Sequence, residues 1–227
     1  MDESFLNTIL LTLKLAGLTT LILLIIGIPL AYFLVYSRLK IKFILEALFS
    51  LPIVLPPTVI GFYLLIAFNQ KGWPQNFLTT HLGIQLNFSF TGILIGSVIY
   101  SLPFMLQPIH AGFQNLPKSY KEASYSLGKY RWITIIRVLL PNIKPSLLSG
   151  IVLSFAHTMG EFGLILMIGG NIPGKTRVAS IAIYDELESL HYANANRYAL
   201  ILMGISFILL LILFYIQKGL TPNQEYD

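Results

Sequence analysis

Three groups of residues in this chain have types and spacings that suggest chemistry. The first is Gly169 to Thr176, GGNIPGKT, which satisfies the G-x-x-x-x-G-K-T pattern of a phosphate-binding loop, and the SIAIYDE segment after it ends in the acids Asp185 and Glu186. That pattern binds nucleotide only where a strand feeds a loop at the start of a helix, inside a parallel sheet of well over about 100 residues. Only the 27 residues of 171–197 lie between the flanking apolar segments. The match is read as chance, with no nucleotide site. The second group is the histidines. His81, His110, His157 and His191 are scattered, and His110 has no second ligand at helical spacing, so it reads as a hydrogen-bonded packing residue and no metal site is expected. No Ser/His/Asp arrangement emerges, so the chain by itself is not expected to be an enzyme or to bind a cofactor. The third group is a lone acid, Glu161, inside an apolar run, together with a basic stretch from Ser119 to Pro141.

The elements that must hold these residues are membrane spans. The chain of 227 residues is 55% hydrophobic and 11% charged, against about 25% charged in a soluble domain. The net charge of +5 is spread between apolar runs and forms no basic domain, so lipid and not nucleic acid is the expected surroundings. Cysteine is absent, which excludes disulfides and thiolate metal sites. The N-terminal MDESFLN has acids and no basic region, which argues against a cleaved signal and for a true first span. The expectation is an all-α integral membrane protein, one transmembrane domain over 1–227. Its five spans lie at about 13–36, 44–68, 90–113, 145–168 and 198–216, with a basic loop at 114–144. Ten of the 15 Lys and Arg fall on one proposed side: three after the first span, six in the basic loop and one in the tail. That bias predicts N-terminus out and C-terminus in. Lys14 snorkels at the outer end of the first span, where Gly27 and Pro29 weakly predict a kink. The outer loop Asn69 to Asn87 carries one Lys and a Trp-Pro pair suited to the interface, and Asp185, Glu186 and Glu188 are expected on an interfacial helix.

Two spans contain features that hydrocarbon does not tolerate unaided. Pro52, Pro56 and Pro57 in LPIVLPPTVIG free backbone carbonyls that neighbouring helices or a wet cavity must satisfy. The segment is either a bent packing helix or a lining of the substrate path. Glu161, in HTMGEFG, has to face protein or water, and Gly160 and Gly163 beside it permit close helix approach or a break. It either fixes a bend by accepting hydrogen bonds from a neighbouring helix or sits solvated at the outer interface.

In the basic stretch, Ser119 and Glu122 have capping-box spacing, so a helix is expected to start there. Tyr120, Ala123, Ser124 and Leu127 form a small apolar stripe, and Gly128 stands where a left-handed residue ends a helix. The helix has about nine residues and is roughly 13 Å long. Its stripe could pack on its own bundle. However, Glu122 and Ala123, then Gly128, then Leu140 and Pro141 resemble the EAA signature of permease subunits of bacterial ABC importers. Ser124 stands in place of the third-position Ala and Val138 in place of Ile. The resemblance implies that this short helix docks in a groove of a separate cytoplasmic ATPase.

The resemblance extends through LPIVLPPTVIG, GEFG and NIPGKTRVASIAIY to the molybdate/tungstate importer permeases, and covers about 13–216. Sulfate permeases look similar in the same places, and Lys175 stands where the family pattern often has an acid. What the resemblance implies is a second copy of the chain as dimer partner, a dimer of cytoplasmic ABC ATPases carrying the ATP and Mg, an extracytoplasmic oxyanion-binding protein, and a bacterial cytoplasmic (inner) membrane. ATP binding would draw the EAA helices together and open the permease outward, through a pore with no tight anion site. A secondary transporter would need matching halves, and five spans with no detectable repeat do not supply them. A scaffold would not account for the EAA spacing.

Overall fold

The computed structural model describes residues 3–69 and 85–220, all of them in helices and connecting turns. The interfacial part of the outer loop at 70–84, with its Lys and Trp-Pro pair, lies outside the described residues. Among the described residues three helices are long and apolar enough to cross a bilayer: α1 (Glu3–Tyr36), α4 (Phe90–Asn115) and α11 (Tyr192–Leu220). Between them lie two bent pairs. One is α2 (Lys42–Val54) with α3 (Pro57–Ala67), at 109°. The other is the segment Arg131–Asn142 with α8 (Lys144–Gly160), at 80°. The segment Arg131–Asn142 consists of α6 (Arg131–Thr134), a wide turn at Ile135–Leu139 and α7 (Leu140–Asn142). The remaining helices are short: α5 (Lys118–Ser126), α9 (Gly163–Gly169) and α10 (Ala179–Glu188).

The centre is a three-helix contact of α1, α4 and α8 built on small residues. Gly27 of α1 lets Met105 of α4 approach to 3.0 Å of where its Cβ would stand, and Gly150 of α8 does the same from the other side. Around this contact Leu23, Tyr32, Leu34, Leu106, Ile109 and Phe113 form a continuous buried cluster. α4 begins at Ser89, whose hydroxyl accepts from the Gly92 amide and donates to Leu86 and Gln85 carbonyls, an N-cap that folds the incoming chain over the helix end.

The second span is not one bent helix. α2 runs through Pro52, and the break falls at Leu55-Pro56, both with extended backbone, so that Pro57 opens α3 at a position where no amide is needed. The fourth span also stops, at Gly160. Glu161 and Phe162 leave helical geometry and α9 starts afresh. α10, which carries Asp185, Glu186 and Glu188, is docked by an unusual bond: the Thr12 hydroxyl of α1 accepts from the Ala179 amide at 2.8 Å and donates to the Thr8 carbonyl. Thr12→Val keeps the shape and leaves that buried amide unpaired. It is expected to cost about 1–3 kcal/mol and to lower the thermal unfolding midpoint in detergent, whereas Thr12→Ser should lie near wild type.

Candidate functional site

The short helix α5 is built by its flanks. Pro117 (φ −55°, ψ 134°) turns the chain directly into a helix at Lys118, two residues earlier than the capping-box reading, in which Ser119 is the N-cap. Ser119 is therefore already inside the first turn, and no side-chain cap bond forms at this end. The expected reciprocal pairing with Glu122 is thus corrected: Glu122 is exposed on the surface of α5. The other end follows the sequence. Gly128 has φ +70°, its amide bonds the Tyr125 carbonyl at 2.9 Å, and the Lys129 amide bonds the Ser124 carbonyl at 3.1 Å. These are the two bonds of a Schellman motif.

Two contacts hold α5 in place. On one side the Ser124 hydroxyl, buried, meets Thr134 Oγ1 at 2.8 Å, and Thr134 donates onward to the Tyr130 carbonyl. Ser124 is therefore the donor to Thr134, which gives a reason for a serine where the signature has alanine. On the other side Lys121 Nζ lies 4.3 Å from the centre of the Tyr36 ring, with Tyr32 and Tyr125 also in reach, and the Arg131 guanidinium lies 4.8 Å from Tyr32. Tyr32, Tyr36 and Phe113 pack ring against ring, and the Tyr36 hydroxyl bonds the Phe113 carbonyl. The ends of α1 and α4 are thereby tied to α5. Burial, and next the hydrogen bond with Tyr32, push the Tyr125 phenol above its ordinary pKa. Neither the Ser124–Thr134 pair nor the tyrosine cage was anticipated from sequence. The usable signals were a small polar residue in the EAA stripe and tyrosines one turn apart at the end of a span.

The apolar stripe stays open. Tyr120, Ala123, Ser124 and Leu127, with Ser119, form one wall of a groove of about 440 Å³ whose other wall is Ile133, Arg137 and Val138. Tyr120 remains 42% and Leu127 76% exposed, so the stripe is not spent on its own bundle. Leu140 and Pro141 lie beyond the groove. Pro141 supplies no amide, and just before it the backbone widens into the turn at Ile135–Leu139, the usual relief for a proline inside a helix. The Asn142 side chain donates to the Val138 carbonyl at 2.6 Å in the same turn.

The second candidate region is where the two broken spans meet. A Cβ on Gly163 would stand 3.1 Å from Pro57 Cβ, and one on Gly61 would stand 2.9 Å from Met167 Cβ and 3.3 Å from the Leu164 backbone. The Pro56-Pro57 break and the Glu161 break, about a hundred residues apart in sequence, are thus packed on each other. Pro52 is buried within α2, off the break, and Gly160 faces open space, so the close approach expected at Gly160 belongs to Gly163 and Gly61. Glu161 is 6% exposed, which overturns the solvated reading. Its partner is not a neighbouring helix: Oε1 accepts from the Leu164 amide at 3.0 Å and so caps α9, the helix that follows it. Its backbone carbonyl accepts from Ser180 of α10.

One turn before the break the α4–α8 contact carries a polar relay that sequence reading did not assemble. Thr158 donates to the Ser154 carbonyl, which makes it an acceptor for Ser101, which in turn accepts from His157 Nδ1–H at 3.0 Å. His157 stacks on Phe104, with ring centres 3.9 Å apart. Three polar side chains within apolar helices, Ser101, His157 and Thr158, were the available signal. His110 Nε2 lies 3.5 Å from Glu46 Oε1.

The phosphate-loop look-alike folds on itself. The Ile172 carbonyl accepts from the amides of Lys175, Thr176 and Arg177, and the buried Thr176 hydroxyl accepts from Ile172 and donates to Gly169. No strand precedes the loop among the described residues. Asp185 and Glu186 pair with Arg177, at 2.7 and 3.6 Å, instead of waiting for a metal.

Residues 23–222 match the family described as binding-protein-dependent transport system inner membrane component. The chain belongs to this family. As a member of this permease family it is a multi-pass membrane transport subunit and not an enzyme. Among similar proteins, the molybdenum transport system permease protein ModB of Azotobacter vinelandii is 42% identical, over 94% of this chain and 95% of the relative. A probable sulfate transport system permease protein cysT of Marchantia polymorpha is 37% identical over 89% of this chain and 69% of its own length. A solved bacterial ABC transporter involved in the import of the acidic polysaccharide alginate superposes with a TM-score of 0.78, covering 98% of this chain and 82% of that chain. At 20% identity it is evidence for the shared permease fold.

Proposed function

We propose that this permease is the membrane subunit of an ATP-driven importer of molybdate or tungstate. It would form one domain over 1–227 with five spans, N-terminus out and C-terminus in, and would work in a bacterial cytoplasmic membrane as a homodimer. A pair of cytoplasmic ABC ATPases would carry the ATP and Mg, and an extracytoplasmic binding protein would deliver the oxyanion. The observation that carries the substrate is the 42% identity to a molybdenum permease over nearly the whole of both chains. A sulfate importer is the second reading, and the sulfate relatives favour it.

In this reading α5 is the coupling helix. Ser119, Tyr120, Glu122, Ala123, Ser124, Leu127 and Gly128 meet or shape the contact with the ATPase, and Leu140-Pro141 end the segment that anchors it. The clustering of Lys118, Lys121, Lys129, Arg131 and Arg137 around α5, near the Arg38 end of α1, supports a cytoplasmic position. The path would run past the crossing of the two breaks, with Pro52, Pro56, Pro57, Gly160, Glu161 and Gly163 as gate candidates. Glu161 serves there by fixing the start of α9. A carboxylate would repel an oxyanion, so it is not the ligand.

Two measurements test this. Glu122→Lys leaves the internal contacts of α5 intact and is expected to abolish co-purification of the ATPase, with the membrane fold unchanged; undiminished capture would remove α5 from the interface. In proteoliposomes with the cognate binding protein, molybdate or tungstate should stimulate ATP hydrolysis more than sulfate does, and the opposite order would make this a sulfate permease.

A further inference from the structure

Away from the coupling helix, the Glu3 end of α1, α10 and the start of α11 enclose a cavity of about 560 Å³ lined by Ser4, Phe5, Glu186, Asn194, Arg197 and Tyr198, with Leu200 and Ile201 at its side. We propose that this cavity binds the headgroup of a phospholipid, with the phosphate on Arg197 and the first acyl carbons along Leu200 and Ile201. The site plays no part in coupling or in the path and rests only on α1 and α11 crossing the bilayer.

Four observations point to this occupant. Arg197 and Lys218 bracket a stretch of α11 with no charged residue between them. They are separated by roughly 32 Å of helix, close to the hydrocarbon thickness of about 30 Å. Arg197 therefore stands at one end of the apolar stretch of α11, beside the Glu3 end of α1. Its guanidinium is exposed and makes no ion pair or hydrogen bond among the described residues, whereas the acid in the same cavity is already engaged: Glu186 meets Arg177, His191 and Asn194. The free charge in the cavity is consequently positive. The wall is also continuous with the unpacked face of α11, where Leu200, Met203, Phe207 and Leu211 are all more than half exposed and so face acyl chains. Finally, the Phe5 and Tyr198 rings lie 4.5 Å apart, tilted by 35°, and line the cavity with aromatic surface.

The test is native mass spectrometry of the full-length chain, delipidated in detergent and titrated with dioleoyl phosphatidylglycerol, with diacylglycerol and inorganic phosphate as separate arms. Wild type is expected to hold one phosphatidylglycerol per copy, at least about tenfold tighter than Arg197→Gln, as loss of a charged hydrogen bond implies. Ile201→Trp, which fills the cavity from its apolar side and keeps the arginine, should expel the lipid too. Thermal melts show whether either variant is folded. Equal binding by folded Arg197→Gln, or equal retention of diacylglycerol, would overturn the proposal. Displacement of the lipid by inorganic phosphate would make this a free-anion site, and loss of dimer mass in place of lipid would assign the cavity to a second copy. Either result also overturns it.

Discussion

Gly163→Leu is expected to stop substrate uptake while leaving the ATPase bound. The Cβ alone would press on Pro57 at 3.1 Å, and the remaining leucine atoms have no space between α9 and the turn that opens α3. Neither neighbour can yield cheaply, because Pro57 is fixed by its ring and its α3 position, and α9 is pinned by Glu161. Overpacking of this kind costs about 1–3 kcal/mol in an ordinary core. Here it falls on a crossing of two broken spans, so the displaced backbone is the candidate path itself. Uptake of labelled oxyanion into vesicles should fall by about a hundredfold, the size expected when about 3 kcal/mol is lost at a working site. ATPase co-purification should stay within a factor of about two, since α5 lies at the far end of the bundle and shares no contact with Gly163. Gly17→Ala in α1 is the control. It faces open space and should transport normally. Equal damage from both substitutions would mean that the crossing has no special role.

The second large effect is expected at Gly128. Its φ of +70° costs an L side chain about 1–2 kcal/mol, and more for a β-branched one, and both bonds of the Schellman motif depend on it. Gly128→Val should unwind the last turn of α5, shift Leu127 and Lys129 out of the groove, and reduce ATPase capture at least about tenfold. Gly128→Asn, which tolerates the left-handed region, should retain most of it. Pull-down of the ATPase from detergent-solubilised membranes, scaled to permease content, reads both. Capture by the valine variant equal to wild type would show that the C-terminal turn of α5 takes no part in the contact.

What could be read from sequence divides along physical lines. Gly128 was legible because the requirement for a left-handed residue is local, and the three long apolar helices were legible because hydrocarbon thickness sets a minimum length. The capping box failed for an equally local reason: Pro117, whose fixed φ starts the helix at Lys118, outranks a serine two positions later. At Glu161 the sequence showed that a carboxylate in an apolar run needs partners, yet the nearest unsatisfied amide belonged to the helix it precedes, so the partner was Leu164 and not another span. The packing of Gly163 on Pro57 could not be read at all. It joins segments about a hundred residues apart, and nothing in the periodicity of either says which face meets which. The groove beside α5 was half legible: the stripe was visible, while its opposite wall depends on the widened turn ahead of Pro141.

The fastening of α5 to the first helix uses Lys121 and Arg131 against the faces of Tyr32 and Tyr36, with no acidic residue paired to either cation among the described residues. Such a hinge has no carboxylate to titrate, and attraction between a cation and a neutral ring does not depend on a counter-charge that acid could remove. The attachment of α5 to the first helix should therefore persist across the whole range in which phenols remain neutral and the two basic side chains stay charged.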